Sequence, residues 1–240
     1  MTLLEATIEL GVEVGLNTEV VAIERQADGF LVHGRTPTQE QTFEADIVVH
    51  AAGRVPEIGD LALEVAGVAQ TRAGVTVNEY LQSVSNPAVY AAGDAVASGG
   101  FPLTPVAGMQ GGVVASNLLE GNHRTPNYTG IPSVVFTTPP LARVGLSEEA
   151  AHEQALRFAV HHGDTSDWYS SRRVALRHTG FKTLVEEGTG RILGAHLLGP
   201  HAEEVINLFG LAIRMGLSAN DLKDMVYAYP TGASDLGSML

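Results

Sequence analysis

The sequence has 240 residues, 45% of them hydrophobic, and a formal net charge of −13 at pH 7. It therefore describes one large or two small globular domains, and it argues against non-specific nucleic-acid binding, which needs a basic surface. No apolar run has the length of a membrane span and no leader pattern is visible, so we expect a cytoplasmic protein without a membrane partner. The sequence contains no cysteine, so we expect neither a disulfide nor a redox-active cysteine pair in these residues.

The first fifty residues predict one helix followed by a small antiparallel sheet. An amphipathic helical pattern covers residues 3–10 and stops at Gly11. The polar run 26–29, which ends in Asp28 and Gly29, separates two strand-like runs and predicts a hairpin. Strands are predicted at residues 12–14, 18–23, 29–32 and 42–49.

The segment 45–56 is the first with a specific pattern. Its apolar part, residues 45–49, predicts a strand covered on both faces of a sheet. Small residues follow as far as Gly53, and small residues allow a backbone to approach a ligand closely. Gly53 and Arg54 are therefore candidate cofactor-binding residues, and an ordinary turn with a surface arginine is the alternative interpretation.

The most informative motif lies between residues 89 and 107. A short predicted strand, residues 88–91, leads into Gly93-Asp94, and a helix over residues 105–119 begins at Thr104-Pro105, with Thr104 as its N-cap. An acid at the carboxyl end of a strand that faces a helix N-terminus can bind hydroxyl groups and a polar ring edge. The candidate cofactor-binding residues here are Gly93, Asp94, Leu103, Thr104, Pro105 and Ala107.

Three glycines in this predicted helix call for a physical reason. Gly108, Gly111 and Gly112 should each cost roughly 1 kcal/mol relative to alanine. We expect close packing of the helix against a neighbouring strand or a bound ring to offset this cost.

From residue 131 onwards the pattern is typical of an α+β domain. A strand is predicted at residues 133–137, and Ser147 is a predicted N-cap followed by two acids. A further helix begins at Ser218, with Asp221 as its capping partner. Strands are predicted at 173–177, 181–186 and 192–198, and a helix at 202–215 whose apolar face comprises Val205, Leu208, Phe209, Ala212 and Met215.

These blocks, in this order, resemble the pyridine nucleotide-disulfide oxidoreductases, a family that includes glutathione reductase, dihydrolipoamide dehydrogenase and mercuric reductase. The resemblance implies an α/β plus α+β fold, with partial Rossmann-like FAD- and NAD(P)-binding domains followed by a dimerisation domain. It divides the chain into the tail of an NAD(P)-binding domain (1–56), the closing part of an FAD-binding domain (57–126) and an interface domain (127–240). The motifs that carry the resemblance are Gly53-Arg54-Val55-Pro56, Gly93-Asp94, Leu103-Thr104-Pro105, residues 144–148, residues 190–196 and Tyr229-Pro230-Thr231.

The family resemblance also assigns cofactors and residue roles. It implies FAD, with NAD or NADP as co-substrate, and hydride transfer from nicotinamide through flavin to a disulfide or small-molecule acceptor. Asp94 would then bind the ribityl chain, and the helix start at Thr104 would face the flavin pyrimidine. Val135 and Phe136 match family positions beside the nicotinamide. The carboxyl-terminal domain would pair two subunits as a homodimer.

The chain departs from the family at its catalytic motif, His-Pro-Thr-x-x-Glu. Tyr229 occupies the position of the histidine and Ser234 that of the glutamate, with Asp235 one residue later. Histidine exchanges protons near neutral pH because its reference pKa is about 6.5, whereas that of tyrosine is about 10. Tyr229 is a candidate catalytic proton donor, and an aromatic interface residue is an equal alternative.

The family's Gly-x-Gly-x-x-Gly fingerprints and cysteine pair are missing from this sequence, which resembles the carboxyl half of a longer enzyme. We therefore expect the isolated chain to be inactive by itself. The alternative to a working part of such an oxidoreductase is a truncated, non-catalytic fragment that only folds and dimerises. The nine histidines lack the spacing of a metal site, so no metal is predicted.

Overall fold

The computed structural model describes residues 2–97 and 101–240 as two compact units. One unit comprises residues 7–54, and the other comprises residues 55–240 together with the first residues of the chain. Helix α1 (Thr2–Glu9) agrees with the helix predicted at 3–10, and Gly11, with φ +82°, lies just beyond its end.

The unit 7–54 is built on a three-stranded antiparallel sheet in the order β1-β2-β3. Gln26 pairs with Gly29, which confirms the predicted hairpin. The strands predicted at 18–23 and 29–32 coincide with the first two observed strands, whereas the prediction at 12–14 is wrong and that at 42–49 is right only as far as residue 45. Residues 12–14 form no strand, and the last strand ends at Ala45. The strands are β1 (Glu19–Gln26), β2 (Gly29–Arg35) and β3 (Glu40–Ala45).

Residues 46–49 differ most from the prediction of a strand buried on both faces. The side chains of Ile47 and Val49 are 75% and 79% exposed. A central strand needs a neighbour on each side and a covering layer on each face, and within this unit no strand pairs with residues 46–49. The apolar run therefore forms no strand, and its side chains at 47 and 49 are exposed.

The stretch 55–130 contains short strands, a 3₁₀ turn and one long helix. Two small apolar clusters form around Val75 and around Leu81, and the second includes Val113 of the helix. The strand predicted at 88–91 is reduced to a single bridge, between Tyr90 and Gln82. The elements are β4 (Gln70–Thr71), β5 (Gly74–Val75), a 3₁₀ turn over Gly93–Ala95, which we call the Gly-Asp turn, and α2 (Thr104–Glu120).

Helix α2 begins one residue earlier than predicted. Leu103 is its N-cap, with extended backbone angles and no capping side chain, and Thr104 is already helical, so the prediction of Thr104 as N-cap is wrong. The inner face carries Val106 and Val113. The three glycines at 108, 111 and 112 lie on the exposed face, where a Cβ would meet no atom within 4 Å. The described residues therefore do not provide the close packing expected at these glycines.

The carboxyl-terminal part forms a five-stranded antiparallel sheet in the order β6-β7-β10-β9-β8. The strand at 192–198 and the helix at 202–215 match their predictions at both ends. Ser147 accepts a hydrogen bond from the backbone N–H of Ala150, and Ser218 and Asp221 form a capping box, as predicted. The elements are β6 (Ser133–Val135), β7 (Leu141–Gly145), α3 (Glu148–Glu153), β8 (Phe158–Asp164), α4 (Tyr169–Arg172), β9 (Gly180–Glu186), β10 (Ile192–Leu198), α5 (Ala202–Met215), α6 (Ala219–Lys223) and a 3₁₀ segment over Gly232–Met239.

One strand prediction in this part is wrong, and one strand was not predicted. Residues 173–177 form turns after α4 instead of a strand, with Val174 and Leu176 both donating to the carbonyl of Ser171. The sheet has an edge strand that was not predicted, β8, where Phe158 and Val160 alternate with exposed residues. The apolar run between the two arginines at 173 and 177 does not distinguish a strand from a turn.

The main core lies between α5 and the sheet. Ile206 and Phe209 of α5 and Ala195 of β10 are completely buried and belong to one cluster. Leu236 of the 3₁₀ segment is equally inaccessible and joins the same cluster. Met215, predicted on the buried face of α5, is 66% exposed, because it lies one turn beyond the sheet-covered part of the helix. The C-terminal region therefore buries its own apolar residues.

Candidate functional site

The Gly-Asp turn packs directly against the first turn of α2. Gly93 has φ +70°, and a Cβ at this position would lie 3.1 Å from the Cβ of Ala107. A side chain would therefore be strained by the backbone angle and crowded by the helix. The structure brings Gly93 and Ala107 together, and Asp94 follows at the next position, with its side chain exposed.

The other end of the turn is held by the short strand β5. The backbone N–H of Ala97 donates to the carbonyl of Val75 at 2.9 Å. Gly74 has φ +124°, and a Cβ there would lie 2.5 Å from the carbonyl oxygen of Ala95. This close backbone approach leaves no room for a side chain at position 74, so the turn is fixed on both sides.

A buried glutamine also holds the turn, and the sequence reasoning missed it. The backbone N–H of Gly93 donates to Oε1 of Gln110 at 2.6 Å, and Nε2 of Gln110 donates to the hydroxyl of Tyr128 at 2.8 Å. Gln110 is only 1% exposed. The signal that could have found it is its helical spacing, because it lies four residues after Val106 and three before Val113, on the same buried face.

The N-terminus of α2 lies beside this turn. The first backbone N–H groups of a helix have no partner within the helix, and Leu103 contributes no capping side chain. Thr104 and Pro105 are exposed, and no acidic residue lies in the first turn. An exposed carboxylate and an open helix N-terminus together suit a ligand with hydroxyl groups to donate and a polar ring edge to accept hydrogen bonds. The ribityl chain and pyrimidine edge of a flavin have these groups.

The other candidate cofactor residues are not joined to this turn by the described contacts. Gly53, with φ +94°, and Arg54 are exposed at the end of the unit 7–54. Val135 and Phe136, at the end of β6, are 55% and 83% exposed. The sequence placed all of these at one cofactor, and within the described residues of the larger unit the structure brings together the Gly-Asp turn and the start of α2.

The carboxyl-terminal motif is an exposed aromatic site. Tyr229 is 78% exposed, and its ring centroid lies 6.4 Å from that of Tyr169. Ser234 forms hydrogen bonds with the backbone of Thr231 at the start of the 3₁₀ segment. The residue at the family's glutamate position therefore caps a local turn, and its hydroxyl bonds Thr231 instead of the Tyr229 phenol.

Titratable groups of the carboxyl-terminal sheet have perturbed pKa values with clear causes. A 2.8 Å hydrogen bond from Lys182, together with its charge, lowers the pKa of Glu148. Burial lowers the pKa of His196, whose Nε2 lies 3.1 Å from the carbonyl oxygen of Leu146. In the residues that the structure describes, no group of three or more histidine, aspartate or glutamate side chains could hold a metal ion. Across the same described ranges, no helix is long and apolar enough to cross a membrane.

Two family models match the chain. Residues 1–111 match the pyridine nucleotide-disulphide oxidoreductase model, and residues 131–239 match the dimerisation domain of the same family. Among solved structures, the HOCl-induced flavoprotein disulfide reductase RclA from Escherichia coli, in its Cu(II) complex, matches with a TM-score of 0.86 and 28% identity. That match covers 99% of this chain and 53% of the RclA chain.

Curated relatives show the same family and differ in length. The chain is 34% identical to glutathione reductase of Pisum sativum, and the match covers 95% of this chain and 41% of the relative. It is 35% identical to mercuric reductase of Staphylococcus aureus, and that match covers 97% of this chain and 42% of the relative. The chain thus spans less than half of the length of these oxidoreductases. It is also 51% identical to an uncharacterized 19.7 kDa protein in a mercuric resistance operon of Staphylococcus aureus, over 74% of this chain and 99% of that protein.

Proposed function

We propose that this chain, which belongs to the pyridine nucleotide-disulphide oxidoreductase family, forms the flavin-holding and subunit-pairing part of an FAD-dependent oxidoreductase that uses NADH or NADPH. Its fold combines Rossmann-like α/β parts with an α+β dimerisation domain, as the resemblance predicted. The domain boundaries 1–56, 57–126 and 127–240 are part of the proposal, as is a cytoplasmic location.

The observation that carries the proposal is the Gly-Asp turn packed against the first turn of α2. Asp94 accepts hydrogen bonds from the ribityl hydroxyl groups, and the backbone N–H groups at the start of α2, near Thr104, face the pyrimidine edge of the ring. Ala107 is small enough to let the turn approach the helix. When bound, the flavin supplies electron transfer between a nicotinamide nucleotide and a disulfide or small-molecule acceptor.

The remaining candidates have supporting roles in this proposal. Gly53 and Arg54 form the junction at which the chain returns to the flavin domain, and their small or exposed character suits a ligand-facing turn. Val135 and Phe136 are placed beside the nicotinamide. Their exposed apolar side chains suit contact with a flat ring.

Tyr229 has two possible roles in the proposed enzyme. As a phenol it can donate a proton or hydrogen bond to the acceptor, although it is a poor base beside the histidine of the family. As an exposed aromatic residue next to Tyr169 it suits the interface of a homodimer. Replacement by phenylalanine separates these roles, because it removes the hydroxyl and keeps the aromatic ring. A donor role predicts loss of turnover in the complete enzyme with an unchanged dimer.

A flavin titration of the purified chain tests the proposed site. We expect FMN and FAD to bind weakly and with equal affinity, because the sequence contains no Gly-x-Gly-x-x-Gly fingerprint for the adenine half. Asp94→Ala should weaken binding about tenfold, the value of one hydrogen bond to a charged group. Asp60→Ala, a second exposed acid, is the control and should leave the visible difference spectrum unchanged. No spectral change with either flavin, or equal affinity for wild type and Asp94→Ala, would contradict the site.

A second candidate is a non-catalytic fragment that folds and dimerises without holding flavin. It is supported by the absence of cysteine and by Ser234, whose hydroxyl is engaged with Thr231. Light scattering after size exclusion would then give twice 25.3 kDa, with no response to flavin in the same sample. Under both candidates we expect no oxidation of NADH or NADPH by the isolated chain.

A further inference from the structure

Gln110 is a polar residue in the middle of the buried face of α2. It is 1% exposed and lies between Val106 and Val113, which are 3% and 2% exposed. A buried amide with unmet hydrogen bonds is destabilising, so its partners must be accounted for. Two of the partners of Gln110, Gly93 and Tyr128, lie in other segments of the chain.

The oxygen and the nitrogen of the Gln110 amide make different hydrogen bonds: the oxygen accepts one, and the nitrogen donates one. Oε1 accepts the backbone N–H of Gly93 at 2.6 Å, and Nε2 donates to the hydroxyl of Tyr128 at 2.8 Å. Because a backbone N–H can only donate, the oxygen must face Gly93, which fixes the orientation of the amide. Gln110 thereby ties α2 to the Gly-Asp turn and to the segment that precedes β6.

The Gly-Asp turn needs such an external contact. Glycine adopts positive and negative φ with similar ease, so Gly93 does not select its own conformation. The contact with Ala107 limits the turn from one side, and the Gln110 hydrogen bond fixes the Ala92–Gly93 peptide, which precedes Asp94 by one residue. A rotation of that peptide would change the direction in which the Asp94 carboxylate points.

We infer that Gln110 is a positioning residue that fixes the Gly-Asp turn, and through it directs Asp94 towards a ligand at the N-terminus of α2. The inference rests on the proposed flavin site and adds a residue to it that does not touch the ligand. Tyr128 supports Gln110 by accepting its amide hydrogen.

A second buried amide on the same helix provides a matched control. Asn117 is also 1% exposed, and its amide nitrogen donates to the carbonyls of Tyr80 and Arg124, at 3.0 and 2.8 Å. Its oxygen accepts the backbone N–H groups of His123 and Arg124. Asn117 therefore anchors the far end of α2 and makes none of the contacts of the Gly-Asp turn.

The experiment compares Gln110→Met, Gln110→Glu and Asn117→Ala in the full chain. Methionine keeps the shape of glutamine without its hydrogen bonds, whereas glutamate keeps an oxygen for the Gly93 N–H. The readouts are hydrogen exchange of the Gly93 amide by NMR, relative to other amides of the same variant, and the affinity for FMN. We expect Gln110→Met to raise relative Gly93 exchange and to weaken FMN binding, each about tenfold. Gln110→Glu should return both the relative Gly93 exchange and the FMN affinity to wild-type values. Asn117→Ala should lower thermal stability without changing either readout.

The outcomes separate the inference from the proposed function. If the wild-type chain binds FMN and the FMN affinity of Gln110→Met lies within twofold of the wild-type value, the inference is overturned and the proposed site is not. Failure of Gln110→Glu to recover either readout also overturns it, because packing would then explain the loss. Wild-type chain with no response to FMN overturns the proposed site and the inference with it. If Gln110→Met does not fold, Tyr128→Phe provides the test, with the same direction of change at Gly93 and a smaller size.

Discussion

The region 131–240 and the unit 7–54 are both built on antiparallel sheets, but they differ in whether the apolar face of the sheet is buried. In the first, Ile206, Phe209 and Leu184 are completely inaccessible. In the second, all of which the structure describes, no hydrophobic residue is fully buried and β1 is exposed along its whole length. A sheet buries its apolar face only when a helix or another sheet covers it, and α5 covers one sheet while nothing within 7–54 covers the other.

The candidate flavin site lies in a third kind of region. In the described part of residues 55–126 the apolar side chains form two small clusters, and the Gly-Asp turn is fixed chiefly by backbone contacts and the Gln110 amide. Stability and site geometry therefore come from different parts of the chain. The carboxyl-terminal core supplies most of the buried apolar surface, and directional contacts of α2 supply the order of the site.

The largest effect should come from the same substitution made in the two contrasting regions. Ile206→Ala removes a fully buried side chain from α5 and should lower the free energy of unfolding by about 2–5 kcal/mol. Ile23→Ala, at a β1 position that is 49% exposed, should change it by less than about 1 kcal/mol. Urea unfolding followed by far-ultraviolet circular dichroism, which reports on the secondary structure of both regions, measures both changes. Equal losses for the two variants would remove the contrast.

A smaller effect should distinguish two glycines at and near the candidate site. Gly93→Ala forces a side chain into positive φ against Ala107 and should destabilise the protein by about 1–2 kcal/mol. Gly108→Ala lies on the open face of α2 and should stabilise it by roughly 0.5–1 kcal/mol, because glycine is a poor helix former. Thermal unfolding with circular dichroism detection gives both signs. Destabilisation by Gly108→Ala would show that the exposed face of α2 has a partner in solution.

The smallest effect should come from ion pairs. Because Lys182 lowers the pKa of Glu148, the pair stabilises the fold above the ordinary carboxyl pKa, and this contribution is lost as the pH falls through the lowered folded value. The melting temperature of wild type should therefore exceed that of Lys182→Gln at pH 7, and the difference should shrink between about pH 5 and pH 3. The more exposed pair Arg35–Glu40 in the unit 7–54 is the control, and Arg35→Gln should change little at any pH. A pH-independent difference for Lys182→Gln would contradict the assignment.

The sequence predicted best those elements whose local pattern and packing agree. Helix α5 has a strong apolar stripe, the sheet lies on that stripe, and both ends of the helix were placed correctly. The segment 46–49 shows the opposite case, since its apolar run predicts burial but burial needs partner strands that this unit does not contain. Strand β8 was missed because adjacent histidines at 161 and 162 interrupt its alternation.

The sequence predicted the Gly93-Asp94 motif of the candidate site but not the buried residue, Gln110, that holds this motif in place. Gly93 and Asp94 are visible because a Gly-Asp pair after an apolar run is a recognisable pattern. Gln110 has no such pattern, since a glutamine within a helix is usually exposed and only its register with Val106 reveals that it is buried. Its partner Tyr128 lies outside any helix or strand, and residue spacing cannot predict that contact.

Hydrogen–deuterium exchange of the whole chain, with and without FMN, tests the central claim most directly. The account predicts the slowest exchange in β9, β10 and α5 and the fastest in β1 and residues 46–54. It also predicts that FMN slows exchange only in peptides that contain the Gly-Asp turn or the first turn of α2. Equal protection of residues 46–54 and α5, or FMN-dependent protection confined to other segments, would contradict it.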